Sequence, residues 1–130
     1  MTRKKLLIID DDLEMCAEIS EILRDEGYEV DAVYDGVQGR DRLMQVPYDL
    51  VLLDLKIPGM NGFDVLVSIR EQRIGVKVLV LSGRPLVKDM NGQPGVRDEE
   101  EAILRKADCV MSKPYDIVRV LSTIQELLAV

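Results

Sequence analysis

The sequence predicts an α/β fold: a doubly wound parallel sheet of five strands with helices on both faces. Short apolar runs at 6–9, 30–33, 50–53, 78–81 and 109–111 alternate with stretches of helical periodicity. The runs at 6–9 and 50–53 are apolar throughout, which is typical of strands covered on both faces. Alternation of strands and helices requires right-handed crossovers, and these make the strands parallel and cover both sides of the sheet.

Local patterns justify the individual elements. The first helix is predicted over 12–26, with Asp12 as its N-cap, Gly27 as its stop signal, and an apolar face made of Leu13, Cys16, Ile19 and Leu23. The second strand alternates polar and apolar residues over 29–32, which predicts a position at the sheet edge. A fourth helix is predicted over 98–107. The last helix carries an apolar face of Ile117, Val120, Leu121, Ile124 and Leu128.

Composition restricts the class of protein. With 130 residues and 47% hydrophobic composition, the chain has the size of a single domain over 1–130. A formal charge of -7 opposes nucleic acid and anionic lipid, so we expect no direct nucleic-acid binding. No apolar run reaches the roughly 20 residues that a membrane span needs, and no signal peptide opens the chain. We therefore expect a cytoplasmic protein with no membrane contact.

Two residue types limit the chemistry further. Cys16 and Cys109 lie far apart in apolar patterns, which predicts two buried thiols and no disulfide or metal spacing. Histidine is absent, which excludes histidine-based zinc sites and Ser-His-Asp triads. Any chemistry must therefore use carboxylates, lysine and hydroxyl groups.

Polar residues follow four of the five predicted strands. Asp10, Asp11 and Asp12 follow the first strand, and the residues after the third, fourth and fifth are Asp54, Ser82 and Lys113. In a doubly wound sheet the carboxyl ends of the strands share one edge, where ligands bind. Carboxylates gathered there repel one another by about 4 kcal/mol per pair at 4 Å unless a cation relieves them. Mg²⁺, which prefers oxygen ligands, is the expected cation, and Lys113 brings the site near neutrality.

The same residues, with the segment Asp54-Leu55-Lys56-Ile57-Pro58-Gly59-Met60-Asn61-Gly62, closely resemble the receiver domains of bacterial response regulators. The resemblance covers nearly the whole chain. It implies the flavodoxin-like strand order 2-1-3-4-5, with Asp54 as the phosphoryl acceptor. It also implies that Asp10, Asp11, Asp54 and the Lys56 carbonyl bind Mg²⁺ or Mn²⁺. Ser82 and Lys113 are expected to contact the phosphoryl oxygens, and the Lys113-Pro114 peptide is often cis in such proteins.

The resemblance implies a signalling switch that is not an enzyme toward other molecules. Asp54 takes a phosphoryl group from a histidine kinase, a phosphotransfer protein or a small phosphodonor in a Mg²⁺-dependent step, and later hydrolysis ends the signal. A downstream effector protein or domain is the expected second partner, and a homodimer is compatible with the resemblance. The loop and helix after the fourth strand are expected to respond.

Two departures from the family pattern concern that response. Val110 occupies the position three residues before Lys113 where an aromatic side chain is usual, so no ring can turn inward from there. The segment 84–97 is longer than the family norm by several residues and contains the turn signals Asn91-Gly92 and Pro94-Gly95. Our hypothesis is that ordering of this loop, with basic residues such as Arg84 and Lys88, replaces the aromatic movement as the readout of phosphorylation.

Two other functions stay open at this point. Asp10 and Asp12 after an apolar strand also resemble the acid pair of haloacid-dehalogenase phosphatases, although the chain is short and leaves no room for a cap domain. A receiver-like interaction module that is never phosphorylated is the second alternative. Labelling distinguishes the first alternative, because phosphoryl trapped on Asp10 favours the phosphatase. An Asp54→Asn comparison of partner binding distinguishes the second.

Overall fold

A computed structural model describes residues 3–83 and 98–129 of the chain, without the side chain of Asp98. Its five strands are β1 (Lys5–Ile9), β2 (Glu29–Val33), β3 (Leu50–Leu53), β4 (Lys77–Ser82) and β5 (Cys109–Ser112). The helices are α1 (Leu13–Asp25), α2 (Gly36–Gln45), α3 (Gly62–Glu71), α4 (Asp98–Leu104) and α5 (Ile117–Leu128). The predicted alternation of strands and helices is thus confirmed.

All strand pairs are parallel, and the strand order is β2-β1-β3-β4-β5. This order confirms the predicted topology and places β2 at an edge. Strands β1 and β3 are neighbours in the interior of the sheet. Their last residues, Ile9 and Leu53, are register partners, so the next residues, Asp10 and Asp54, leave the sheet side by side.

The sheet separates two apolar cores. Helices α2, α3 and α4 cover one face, where Leu43, Leu66 and Leu104 pack against the alternate strand residues that begin with Leu7 and Ile9. Helices α1 and α5 cover the other face, where buried residues of both helices pack against Leu6, Ile8, Leu50, Leu52, Leu79 and Leu81. Side chains of a strand alternate between faces, so the uniformly apolar strands supply both cores. In the part of the chain that the structure describes, no helix combines the length and apolar character needed to cross a membrane.

Capping explains where several helices begin and end. The Asp12 carboxylate accepts the Met15 amide at 3.1 Å and lies immediately before α1, which confirms the predicted N-cap. Asn61 caps α3 in the same way through the Asp64 amide at 3.0 Å. Gly27, with φ of +97°, follows α1 in the left-handed conformation that glycine adopts most readily.

Two predictions, on the end of α4 and on the burial of Cys109 in β5, are wrong in detail. The fourth helix ends at Leu104 and not at 107, because the amides of Lys106 and Ala107 turn back to carbonyls three residues earlier. The Arg70 guanidinium also holds the chain after that helix end, because it donates to the Lys106 carbonyl at 2.9 Å and to the Asp108 carboxylate at 3.0 Å. Cys109 is only partly buried, because it lies in the edge strand β5. The predicted loop over 84–97 lies outside the described residues.

A polar network joins the edge strand β2 to α2; we call Asp31, Arg42 and Tyr48 the edge network. The Tyr48 hydroxyl donates to the Asp31 carboxylate at 2.6 Å. The Arg42 guanidinium donates to the Tyr48 hydroxyl at 2.9 Å and to Asp31 at 3.3 Å. The hydrogen bond from Tyr48 is the main cause that lowers the pKa of Asp31 below its ordinary value of 3.8.

Candidate functional site

The carboxyl edge of the sheet holds the predicted acidic residues together. Carboxylate oxygens of Asp10, Asp11 and Asp54 lie within 4.8 Å of one another. Asp10 and Asp54 are buried at 2% and 7% exposure, whereas Asp11 is exposed. Because the first two follow paired central strands, the sheet register forces their carboxylates into proximity. The acidic part of the predicted site is therefore assembled in the fold.

Lys113 reaches this cluster from the end of β5. Its ammonium lies 2.8 Å from an Asp10 oxygen and 3.7 Å from an Asp54 oxygen. The Lys113 amide donates to the Ser82 carbonyl at 2.7 Å, and the Lys113-Pro114 peptide is cis, as the resemblance implied. Burial lowers the pKa of Lys113, but the hydrogen bond and charge of Asp10 outweigh it, so that its pKa lies above the ordinary value. Lys113 is thus a charged ammonium at neutral pH.

The Asp54 carboxylate is held in an unfavourable environment. Burial raises its pKa, and the charge of Asp10 raises it further, while Lys113 and the amides of Lys56 and Leu55 oppose this. Three carboxylates and one ammonium leave a formal charge of -2 in the cluster. A divalent cation with oxygen ligands fits both this donor set and this charge.

Two further predicted residues lie at the edge of the cluster. Ser82 is the last residue of β4 and is fully buried, and its neighbour Gly83 lines the open cleft of about 570 Å³ that the three aspartates share. The Lys56 amide makes a long hydrogen bond of 3.4 Å to an Asp54 oxygen, and its side chain is exposed beside the cleft. The structure brings both residues to the site, and their roles toward a cation or a phosphoryl group stay predictions.

Asp12 belongs to the scaffold of the site. While its carboxylate caps α1, its amide donates to an Asp10 oxygen at 3.0 Å and so orients that side chain. Cys16 approaches the Asp10 carbonyl at 3.4 Å, and burial together with the charge of Asp10 raises the pKa of its thiol to about 12. The thiol is therefore protonated and structural, as predicted.

Sequence reasoning missed two features of the site. It did not anticipate that Lys113 lies closer to Asp10 than to Asp54, and no local pattern reports a contact across 103 positions. It also did not anticipate the close packing at Gly62. A Cβ built at Gly62 would collide with the Asp54 carbonyl oxygen and lie 2.5 Å from the Leu55 Cα, so α3 begins directly against the Asp54 and Leu55 backbone.

Comparisons with known proteins agree with this geometry. The family profile described as the response regulator receiver domain matches residues 6–125. The transcriptional regulatory protein QseB of Escherichia coli O157:H7 is 32% identical over 124 residues, which are 95% of this chain and 52% of QseB. The chain thus spans about half the length of the curated relatives that it matches.

Solved structures agree in fold. A CheY-like receiver domain protein from Methanospirillum hungatei has a TM-score of 0.84 at 27% identity, with 98% of this chain and 94% of that one covered. A chain from the complex of histidine kinase ThkA with response regulator protein TrrA has a TM-score of 0.79 at 26% identity, with coverages of 97% and 99%. By its profile match, its strand order and the acidic cluster at the carboxyl ends of its strands, the chain belongs to the response regulator receiver domain family.

Proposed function

We propose that Asp54 is the phosphoryl acceptor of this receiver domain. The observation that carries the proposal is the buried Asp54 carboxylate, which lies within 4.8 Å of two other carboxylates and 3.7 Å from the Lys113 ammonium. In the transfer, an Asp54 oxygen bonds to phosphorus while the bond from phosphorus to the imidazole nitrogen of a phosphohistidine breaks. The nitrogen leaves with the electron pair, and an acyl phosphate remains on Asp54.

The surrounding residues orient the reacting groups and neutralise negative charge on the phosphoryl oxygens. Lys113 holds Asp10 in place and offers its charge to a phosphoryl oxygen on Asp54. The Ser82 hydroxyl donates a hydrogen bond to another phosphoryl oxygen, which the position of Ser82 at the end of β4 supports. Asp10, Asp11, Asp54 and the Lys56 carbonyl would hold Mg²⁺ or Mn²⁺. When bound, this ion offsets negative charge on the transferring phosphoryl group.

The phosphodonor is a histidine kinase, a phosphotransfer protein or a small phosphodonor. The similarity to a chain from a complex of a histidine kinase with a response regulator supports the first. The chain catalyses only its own phosphorylation and dephosphorylation, and residues 1–130 form one receiver domain, which the profile match over 6–125 supports. A cytoplasmic location and the absence of direct nucleic-acid binding stay predictions.

Phosphorylation alters the region after β4 and so reaches a downstream effector. In α4, Leu104 is the one buried side chain among residues 99–104, so this helix has little apolar area holding it to the sheet. Amide exchange over 84–104 with and without Mg²⁺ and beryllofluoride measures the response, and α1 serves as the internal reference. Unchanged protection over 84–104 contradicts the response.

Intact mass after incubation with acetyl phosphate and Mg²⁺ tests the acceptor. We expect a gain of one phosphoryl group, located on Asp54 by peptide mapping and absent in Asp54→Asn. The matched control is Asp64→Asn, because Asp64 is an exposed aspartate at the start of α3 outside the cluster. A mass gain that persists in Asp54→Asn, or one located on Asp10, contradicts the proposal and favours the phosphatase alternative. No gain with acetyl phosphate or a phosphohistidine donor favours the unphosphorylated module.

A further inference from the structure

Residues 55–61, between Asp54 and α3, are held in place by two backbone contacts; we call this segment the site loop. One contact joins the two ends of the loop, because the Gly62 amide at the start of α3 donates to the Leu55 carbonyl at 2.9 Å. The other contact comes from α2, which is not part of the acidic cluster. The Gly36 amide, at the start of α2, donates to the Pro58 carbonyl at 3.0 Å.

The approach of α2 to the site loop is so close that only glycine fits. A Cβ built at Gly36 would collide with the Met60 carbonyl oxygen and lie 2.6 Å from its carbon. These are backbone atoms, which cannot rotate away as the end of a side chain can. Val37 lies beside the loop, because its Cγ2 would be 3.5 Å from a Cβ placed at Gly59. The start of α2 therefore determines where the middle of the site loop lies.

We propose that Gly36 is a positioning residue for the cation site, acting through the site loop. The inference rests on the proposed function, in which the carbonyl of Lys56 is a cation ligand. A backbone carbonyl has no side-chain torsions with which to adjust, so its position depends on the path of the loop. Groups that orient a metal's ligands typically change its affinity by about 10- to 100-fold when they are altered. Gly36→Ala should displace the loop and weaken the cation site.

The experiment is a calorimetric titration of the unphosphorylated, metal-free chain with Mg²⁺ alone. We expect Gly36→Ala to raise the Mg²⁺ dissociation constant about tenfold. Gly75→Ala is the matched control, because a Cβ at Gly75 meets nothing within 4 Å and the dissociation constant should stay that of the wild type. Leu43→Ala removes a buried side chain of α2 seven residues after Gly36, away from the backbone contacts with Pro58 and Met60. It should lower stability to urea and leave Mg²⁺ affinity unchanged, which separates positioning from stability.

If Gly36→Ala does not unfold cooperatively in urea, Val37→Ala decides, because Val37 is 41% exposed and its truncation leaves the core intact. We expect weaker Mg²⁺ binding in that variant than in the wild type. Wild-type affinity in Gly36→Ala, or in Val37→Ala where the first does not fold, overturns the proposal, and so does equal weakening in Leu43→Ala. A wild-type chain that binds no Mg²⁺ contradicts the proposed function itself. A wild type that binds Mg²⁺ and is phosphorylated on Asp54, beside an unchanged Gly36→Ala, contradicts this inference alone.

Discussion

The acidic cluster at the carboxyl ends of the strands and the edge network between β2 and α2 use similar residues in opposite ways. In the edge network, Asp31 receives hydrogen bonds from Tyr48 and Arg42, and its pKa is lowered. In the acidic cluster, burial and the charge of Asp10 raise the pKa of Asp54 in spite of Lys113. One carboxylate is stabilised in its charged form by the fold, and the other is destabilised.

The difference separates a structural polar network from a candidate binding site. The edge network is balanced by its own side chains and needs no ligand. The acidic cluster keeps an excess of negative charge, which disfavours the folded chain unless a proton, a cation or another ligand relieves it. Perturbed carboxylates in a cleft are typical of functional sites for this reason.

The largest expected effect is that of Lys113→Ala. Removing the ammonium leaves Asp10, 2% exposed, and Asp54 without their cation, and we expect a loss of about 3 kcal/mol in the free energy of unfolding in metal-free buffer. Urea unfolding monitored by circular dichroism measures it. Lys106→Ala, at an exposed position, is the control. A loss below about 1 kcal/mol would mean that the cluster is less strained than its geometry indicates.

Tyr48→Phe tests the edge network, whose charges are balanced by its own side chains. Tyr48 is 6% exposed and its hydroxyl contacts both charged groups of the edge network. We therefore expect a loss of about 1.5 kcal/mol in the free energy of unfolding. The control is Tyr34→Phe, since Tyr34 is exposed. Because the pKa of Asp31 is lowered in the folded chain, Asp31 contributes to the free energy of unfolding above pH 3.8. This contribution disappears as the pH falls through the lowered pKa. A Tyr48→Phe loss that does not shrink on acidification contradicts this assignment.

Asp54→Asn, unlike the two substitutions above, is expected to raise the free energy of unfolding. Replacing a carboxylate whose pKa is raised with a neutral amide relieves repulsion from Asp10, partly offset by the lost attraction to Lys113. We expect a gain of about 1 kcal/mol in metal-free buffer at pH 7. With a raised pKa, protonation of Asp54 favours the folded state. Its stabilising contribution is therefore present below 3.8 and lost as pH rises through the raised value.

The gain from Asp54→Asn should accordingly appear as pH rises above 3.8 and vanish below it. Unfolding curves of the variant and the wild type across this range measure the trend, with Asp64→Asn as the control carboxylate. A gain that is independent of pH would show that the carboxylate charge is not its cause.

The smallest expected effect is that of Asp12→Asn. Asparagine caps helices about as well as aspartate, so the free energy of unfolding should change by less than about 0.5 kcal/mol. Phosphorylation in the presence of Mg²⁺ should continue, whereas Asp12→Ala should cost about 1 kcal/mol through loss of the cap. Loss of phosphorylation in a stable Asp12→Asn chain would assign Asp12 to the chemistry and revive the phosphatase alternative.

Much of the fold was predictable because the signals are local or periodic. Strand positions followed from short apolar runs, the N-cap from Asp12, and the edge position of β2 from its alternation. The predicted end of α4 failed because the last turn is decided by nonlocal contacts, among them the bond from Arg70 to the Lys106 carbonyl. The edge network was not anticipated, because a tyrosine and two charged residues spread over 31–48 carry no recognisable pattern.

The candidate site also has features that were predictable from local patterns and features that were not. Its membership was predictable, because polar residues that follow parallel strands converge at one edge of a sheet. Which carboxylate Lys113 approaches more closely, how deeply Asp54 is buried, and the contact of Gly36 with the site loop depended on tertiary packing. The sequence by itself determined the order of elements and the residue types at the carboxyl edge, since both depend on local chemistry and chain connectivity. Only the tertiary structure decided distances, burial and charge balance, because these depend on side chains brought together from remote parts of the chain.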